Sequence, residues 1–168
     1  AIYYKDFFNV KQLSHECFFI ANLIEATVVR VEIDNSKLIL VSLYRPKTHA
    51  VWNDSTQIES FITALGEFLE VLNNYNLPIV CCGDYNLNLF KINDSNSKPA
   101  AFLNLFGGFG FINVITKATR IADASKTALD QIFVNDISIL RKSGILIDTP
   151  SDHFGTFIEI DLKKPKIK

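Results

Sequence analysis

The chain has 168 residues, 17 basic and 18 acidic side chains, a net charge of −1 and 48% hydrophobic residues. That length buries a sizeable core in one domain, and the apolar content excludes a disordered chain. The near-zero charge excludes a globally basic nucleic-acid binder, and no run is apolar enough over sufficient length to span a bilayer.

No basic-then-apolar leader opens the sequence, which instead begins Ala1-Ile2-Tyr3-Tyr4-Lys5 as though a strand were already under way. There is no Met at all, so the sequence reads as starting inside a longer polypeptide. The three cysteines, Cys17, Cys81 and Cys82, are odd in number and two are adjacent. That pattern argues against a disulfide framework and for a reducing, intracellular setting.

Residues 23–33 are rich in β-branched side chains and predict a strand. Asp34-Asn35-Ser36 is a turn signal, and 37–44 a second strand that closes a hairpin. Residues 45–54 read as a loop. The clearest helix spans 56–72, with Ile58, Phe61, Ile62, Leu65, Phe68, Leu69 and Leu72 on one face. Asp54 with Gln57, or Thr56 with Glu59, supplies a capping box, and Trp52 reads as an apolar staple ahead of the helix.

Residues 79–82 are continuously apolar, as in a strand covered on both faces. A polar loop over 84–98 leads to a short helix at 100–106 and an extended segment at 111–115. A loop over 117–126 precedes strands at 129–134, 144–147 and 154–160. Strands outnumber helices and alternate with them, which predicts an α/β layered sandwich with mixed sheets rather than a doubly wound parallel sheet. The basic stretch 163–168 reads as a solvated tail or linker beyond a domain at 1–162.

Four motifs place polar side chains just past predicted strand ends. In Gly83-Asp84-Tyr85-Asn86 the glycine permits a tight exit, and Asp84 and Asn86 lie two apart and share a side. A carboxylate there can orient water and an amide can bind a phosphate oxygen, although a Gly-Asp turn has the same spelling. Asp130 sits among Leu129, Ile132 and Phe133, an apolar setting in which a carboxylate needs a partner. His153, in Ser151-Asp152-His153, is the economical one, since the acid fixes its tautomer. Backbone amides are the other partner such an acid could take.

In Tyr44-Arg45-Pro46 the hydroxyl and guanidinium suit a phosphate, while proline after a strand is also a simple terminator. Thr119-Arg120 places a hydroxyl beside a guanidinium in a loop. Arg45, Lys47, Lys91, Lys98, Lys117, Arg120 and Lys126 cluster in or beside these loops and give a locally positive rim. His15 and His49 have no such context and read as surface residues.

The motifs, in this order, resemble the endonuclease/exonuclease/phosphatase superfamily, and most closely the apurinic-type endonuclease domain of non-LTR retrotransposons. The resemblance covers nearly the whole chain and includes the segments ATRI, SKTALDQIFVN and SDHFG. It implies an α/β (α+β) fold, a four-layer αββα sandwich with the site at one rim of two sheets. The activity it implies is Mg²⁺-dependent (or Mn²⁺-dependent) hydrolysis of a phosphodiester. In that family a DNA nick primes reverse transcription, and a reverse transcriptase domain follows in the parent polypeptide. DNA is then the partner, with no membrane, and the nucleus the place of action.

Carried over by resemblance, Asp84 positions the attacking water and Asn86 accompanies it at phosphate or metal. Tyr44 binds phosphate, Asp130 pairs with the site histidine His153, and Asp152 stands on the metal side. Arg45, Thr119, Arg120 and Ser151 contact substrate. The family pattern also has an earlier strand ending in Asn and a Glu that is the principal magnesium ligand. Neither has a counterpart here; Glu16, Glu25 and Glu32 fall in segments that match later family strands. The expectation is therefore an amino-truncated domain lacking its first strands. An inactive remnant of it is the first alternative, and a phosphoesterase acting on lipid or inositol phosphates the second.

Overall fold

The computed structural model describes residues 1–47, 55–92, 97–122, 125–147 and 151–162. His49, Trp52, the Asp54 cap and the basic stretch 163–168 lie outside the described residues.

Strand β1 (Asn9–Leu13) runs antiparallel to β3 (Ile24–Ile33), and the short β2 (Phe19–Ile20) pairs with the start of β3. Residues 1–5 form no strand, so the first strand lies later than the sequence suggests. β3 turns into β4 (Ser36–Tyr44) through Asp34-Asn35, with φ of 48° and 68°. Two left-handed residues match the twist of a two-residue hairpin, and Asp and Asn tolerate that conformation.

Helix α1 (Ser55–Asn73) then carries the chain to β5 (Ile79–Asp84), which pairs parallel with β4. A parallel pair needs such a crossover. Helix α2 (Lys98–Gly108) follows, then β6 (Ile112–Asn113). Strands β7 (Arg120–Ala122) and β8 (Ser125–Thr127) form a small hairpin where the sequence suggests only loop. Strand β9 (Asp130–Val134) pairs antiparallel with β5 and β6. Strands β10 (Leu140–Leu146) and β11 (Gly155–Ile160) pair with each other as a separate sheet. β10 begins earlier than expected, beyond an irregularity between Leu140 and Lys142.

The large mixed sheet runs β1-β3-β4-β5-β9-β6, with β2 beside β3. Alternation along its strands separates two cores. Ile39, Val41, Leu43, Ile79, Cys81 and Phe133 pack with Phe61, Leu65, Phe68 and Leu69 of α1 and with Phe102 and Phe106 of α2. Leu38, Val80, Ile132 and Val134 face the other way, onto Ile145, Ile158 and Ile160 of β10 and β11. Helices, large sheet and small sheet form three successive layers, and the fold is α+β. A second helical layer is not found among the described residues. None of the described helices is long and apolar enough to cross a membrane.

Candidate active site

The site is built by register. Tyr44 stands opposite Asp84 across the parallel β4–β5 pair, and Asp84 opposite Asp130 across β5–β9. Partners in register project to the same face, so the three side chains share the small-sheet side at the strand ends. Gly83 allows this approach. A Cβ there would lie 1.7 Å from the carbonyl oxygen of Leu43, so the β4 backbone occupies the space of any side chain.

Asp84 and Asp130 join His153 in a group whose candidate ligand atoms lie within 4.8 Å of one another. His153 Nδ1 is 2.9 Å from Asp130 Oδ2. An ionised carboxylate only accepts, so Nδ1 donates and the ring is held in one orientation. Thr119 Oγ1 donates to the same oxygen at 2.8 Å, while accepting from the backbone N–H groups of Leu129 and Asp130, each at 2.9 Å. The backbone of Thr119 also accepts from Phe154 N at 2.7 Å, which ties the histidine segment to the acid strand. Ser151 Oγ accepts from His153 N at 2.9 Å and sets the approach of the ring.

Thr119, expected at the substrate surface, is fully buried. Its hydroxyl orients Asp130 rather than facing outward. Arg45, also expected to hold phosphate, is 2% exposed. Its Nη1 donates to Asn86 O at 3.0 Å, and Asn86 Nδ2 donates back to Arg45 O at 2.8 Å. The guanidinium lies 5.3 Å from the Phe61 ring centroid. Arg45 therefore locks the exits of β4 and β5 together. Burial lowers its pKa, and the charge of Asp84 opposes that shift.

Asn86 takes a left-handed φ of 49°, which asparagine tolerates better than most residues. Its backbone N–H donates to Asp84 Oδ1 at 2.9 Å. Its buried Oδ1 has no hydrogen-bond partner among the described residues. A buried unpaired acceptor invites explanation, and an ion or a bound donor supplies one.

Burial pushes the Asp84 carboxyl above its usual range, with the charge of Asp130 adding to the rise. The Asn86 N–H, His153 and Lys47 pull it back. Asp152 lies outside this trio. It is exposed and takes Arg120 Nε at 2.6 Å, and that bond holds its carboxyl below the usual range. Tyr44 remains 42% exposed at the rim.

The two adjacent carboxylates, with His153 beside them, form a donor set that fits a divalent cation. Like charges this close disfavour joint ionisation, and a bound cation relieves that repulsion.

No family model and no curated protein sequence matches the chain. Solved structures do. The endonuclease domain of TRAS1, a telomere-specific non-LTR retrotransposon, superposes with a TM-score of 0.69 at 15% identity, over 96% of this chain and 72% of that one. An endonuclease/exonuclease/phosphatase family protein from Leptotrichia buccalis gives 0.53 at 16% identity, over 81% of this chain and 53% of that one. The 3′ phosphatase NExo from Neisseria, bound to product DNA hairpin, gives 0.57 at 16% identity, over 80% and 64%. The chain thus spans between about half and three quarters of these structures. With two carboxylates and a histidine gathered where its central strands end, it has the α+β fold of the endonuclease/exonuclease/phosphatase proteins.

Proposed function

We propose that the chain is a divalent-cation-dependent phosphodiester hydrolase that nicks DNA, of the kind that primes reverse transcription for a non-LTR retrotransposon. The observation that carries this reading is the Thr119–Asp130–His153 relay abutting Asp84 at one rim of the sheet. Its fold-mates include a retrotransposon endonuclease domain and a phosphatase captured with a DNA product, which supports the substrate class.

Asp84 accepts a hydrogen bond from the attacking water and aligns it with the phosphorus. Burial raises its pKa, which makes it a stronger base than an ordinary carboxylate. As the imidazolium, His153 keeps its Nδ1–H on Asp130 and donates Nε2–H to a phosphoryl oxygen, and Asp130 offsets the ring's charge. The exposed Tyr44 hydroxyl stands beside Asp84 in register and serves the same phosphate. Asp84 and Asp130 would hold Mg²⁺ or Mn²⁺, which supplies Lewis-acid stabilisation when bound. In this reading the partner is DNA, the parent polypeptide continues into a reverse transcriptase, and action is nuclear.

One observation favours a second reading, a folded domain that binds DNA without turnover: no glutamate joins the Asp84–Asp130–His153 cluster among the described residues. Mg²⁺ is commonly held through one or two carboxylates, so the cluster suffices in number. Nicking of supercoiled plasmid with and without Mg²⁺ separates the two readings. The catalytic reading expects metal-dependent nicking that falls by about 10²–10⁴ in His153→Ala. A folded wild-type chain that never nicks would leave only the second reading.

A further inference from the structure

We propose that a groove at the end of the large sheet remote from the acid cluster is the dock for the chain's own basic segment, Lys163-Lys164-Pro165-Lys166-Ile167-Lys168. The segment lies outside the described residues, but the groove is described, and Leu162, from which the segment departs, lines it. The inference does not rest on the phosphodiesterase reading.

The main cleft of the groove has a volume of about 320 Å³ and opens between the β3–β4 turn, the start of β5 and residues 136–139 after β9. Ile79 begins β5 and Asp84 ends it, so the groove stands five residues, roughly 16 Å, from the acids. Leu77, Pro78, Ile139 and Leu162 give it an apolar floor. Leu162 also packs against the core cluster that holds Val80, Ile132 and Ile139, which fixes the point of departure. Adjoining clefts share Asn35 and Lys37 on one side and Leu77, Pro78 and Asp136 on the other, so the groove runs on past this cleft in both directions.

Groove and segment carry opposite charge. Glu32, Asp34 and Asp136 line the groove against one described cation, Lys37, whose ammonium is 3.7 Å from Glu32. Among the described residues no cation forms a salt bridge with Asp34 or Asp136. Asp136 accepts from Ser138 N at 2.9 Å, a neutral donor that leaves its charge uncompensated. The segment holds four lysines in six residues. Written as extended chain it also has two sides, Pro165 and Ile167 on one and Lys164, Lys166 and Lys168 on the other. Proline favours that form, because the residue before it is driven toward extended backbone. The apolar side matches the floor, and lysine stems are long enough to carry their charges to acids at the rim.

Exposed ion pairs contribute only about 0–1 kcal/mol each, too little to hold a free hexapeptide. Attachment at Leu162 changes the balance, since a short tether sets a local concentration in the millimolar range. Six extended residues reach about 20 Å, ample for a cleft of this volume. Docking then seats four cations at the end of the sheet away from Asp84 and Asp130.

The test compares ¹H–¹⁵N correlation spectra of the full chain with those of two variants, one carrying Lys163→Gln, Lys164→Gln, Lys166→Gln and Lys168→Gln together, the other Ile167→Ser. These changes lie outside the packed core, and unmoved amides at Asp84 and Asp130 confirm the fold. The lysine variant is expected to shift the amides of Asn35, Lys37, Asp136 and Ser138, and Ile167→Ser those of Leu77 and Ile139. Raising salt from about 0.1 M to about 1 M cuts the Debye length from about 10 Å to about 3 Å, so the lysine variant and the wild type are expected to converge at the groove. Shifts confined to residues 161–168 in both variants overturn the proposal, as does a groove difference that salt leaves intact. Groove shifts that grow with chain concentration place the segment on a second copy and overturn it too.

Discussion

The two faces of the large sheet are made by the same strands and are packed in opposite ways. On the helical face Phe61, Phe68, Phe102, Phe106 and Phe133 are essentially inaccessible, and the Phe106 and Phe133 rings stack at 3.7 Å and 6°. On the other face no residue of β10 or β11 is fully buried. There a cleft of about 320 Å³, bounded by Ser42, Cys82, Phe154 and Thr156, runs inward from Asp84 and Asp130. Adjacent cysteines mark the contrast: Cys81 is sealed under the helices, and Cys82 lines the cleft. Stability is concentrated on one face and polar chemistry on the other. The acids can then sit close together, partly desolvated, without disturbing the face that holds the fold.

Gly83→Ala should break both faces at once, because Leu43 backbone fills the position of the new Cβ. The clash is with a main chain that cannot swing away. A loss of more than about 4 kcal/mol is expected, enough to leave a marginal domain unfolded. Urea denaturation followed by circular dichroism measures it, and a native-like midpoint would show that β4 and β5 can separate.

The contrast itself is sharpened by paired truncations. Phe106→Ala should destabilise by about 3–5 kcal/mol, as for a large side chain removed from a sealed core. Ile158→Ala, on the open face, should lose only about 1 kcal/mol, since less surface leaves an apolar environment. Equal losses would mean that the small-sheet face is as tightly packed in solution as the helical one.

Thr119→Val removes a hydroxyl that serves the Leu129 and Asp130 N–H groups and the Asp130 carboxylate together. Stranding those buried groups should destabilise by about 1–3 kcal/mol. Diesterase activity should fall too, because Asp130 no longer holds His153 in one orientation. Thr119→Ser keeps the hydroxyl and should recover most of both. If neither variant changes turnover, Thr119 is structural only.

These residues show what the sequence made legible. The β3–β4 hairpin, α1, β5 and β9 follow from β-branched runs, turn residues and helical periodicity. The pairing of Asp130 with a histidine follows from the discomfort of a carboxylate among apolar neighbours. The roles of Thr119 and Arg45 did not follow, because burial of a polar side chain depends on partners far along the chain. For Arg45 these are Asn86 and Phe61. β1 was missed because its five residues, NVKQL, carry little alternation and are defined by pairing with β3. The arms of the β7–β8 hairpin are only three residues each, too short for any period to register.

Asp84→Asn separates function from stability. The folded-state pKa of Asp84 is raised, chiefly by burial. The folded chain therefore holds this proton more tightly than the unfolded one. That contribution to stability is complete below the ordinary carboxylate pKa and is lost as pH climbs to the raised value. Asp84→Asn should therefore be the more stable protein at neutral pH, with its advantage shrinking in acid, while turnover drops by about 10²–10⁴. Denaturant midpoints between pH 3 and pH 8 check the sign. A variant less stable than wild type at neutral pH would show that hydrogen bonds to Asp84 outweigh its desolvation.

The smallest effect is expected one residue on, where the chain turns back to the sealed face. Tyr85 is completely buried among Phe102, Phe106 and Phe133, with ring centroids 5.2, 5.9 and 5.7 Å away. Its hydroxyl has no hydrogen-bond partner among the described residues. The ring belongs to the aromatic core, but the oxygen is desolvated without compensation. Tyr85→Phe keeps every ring contact and removes only that oxygen, so it should stabilise the chain by about 1 kcal/mol. Turnover should not change, because Asp84 and Tyr85 project to opposite faces of the sheet. Loss of stability would mean that the hydroxyl finds a partner in solution. Loss of turnover would mean that the packed face and the open one are coupled through this single strand end.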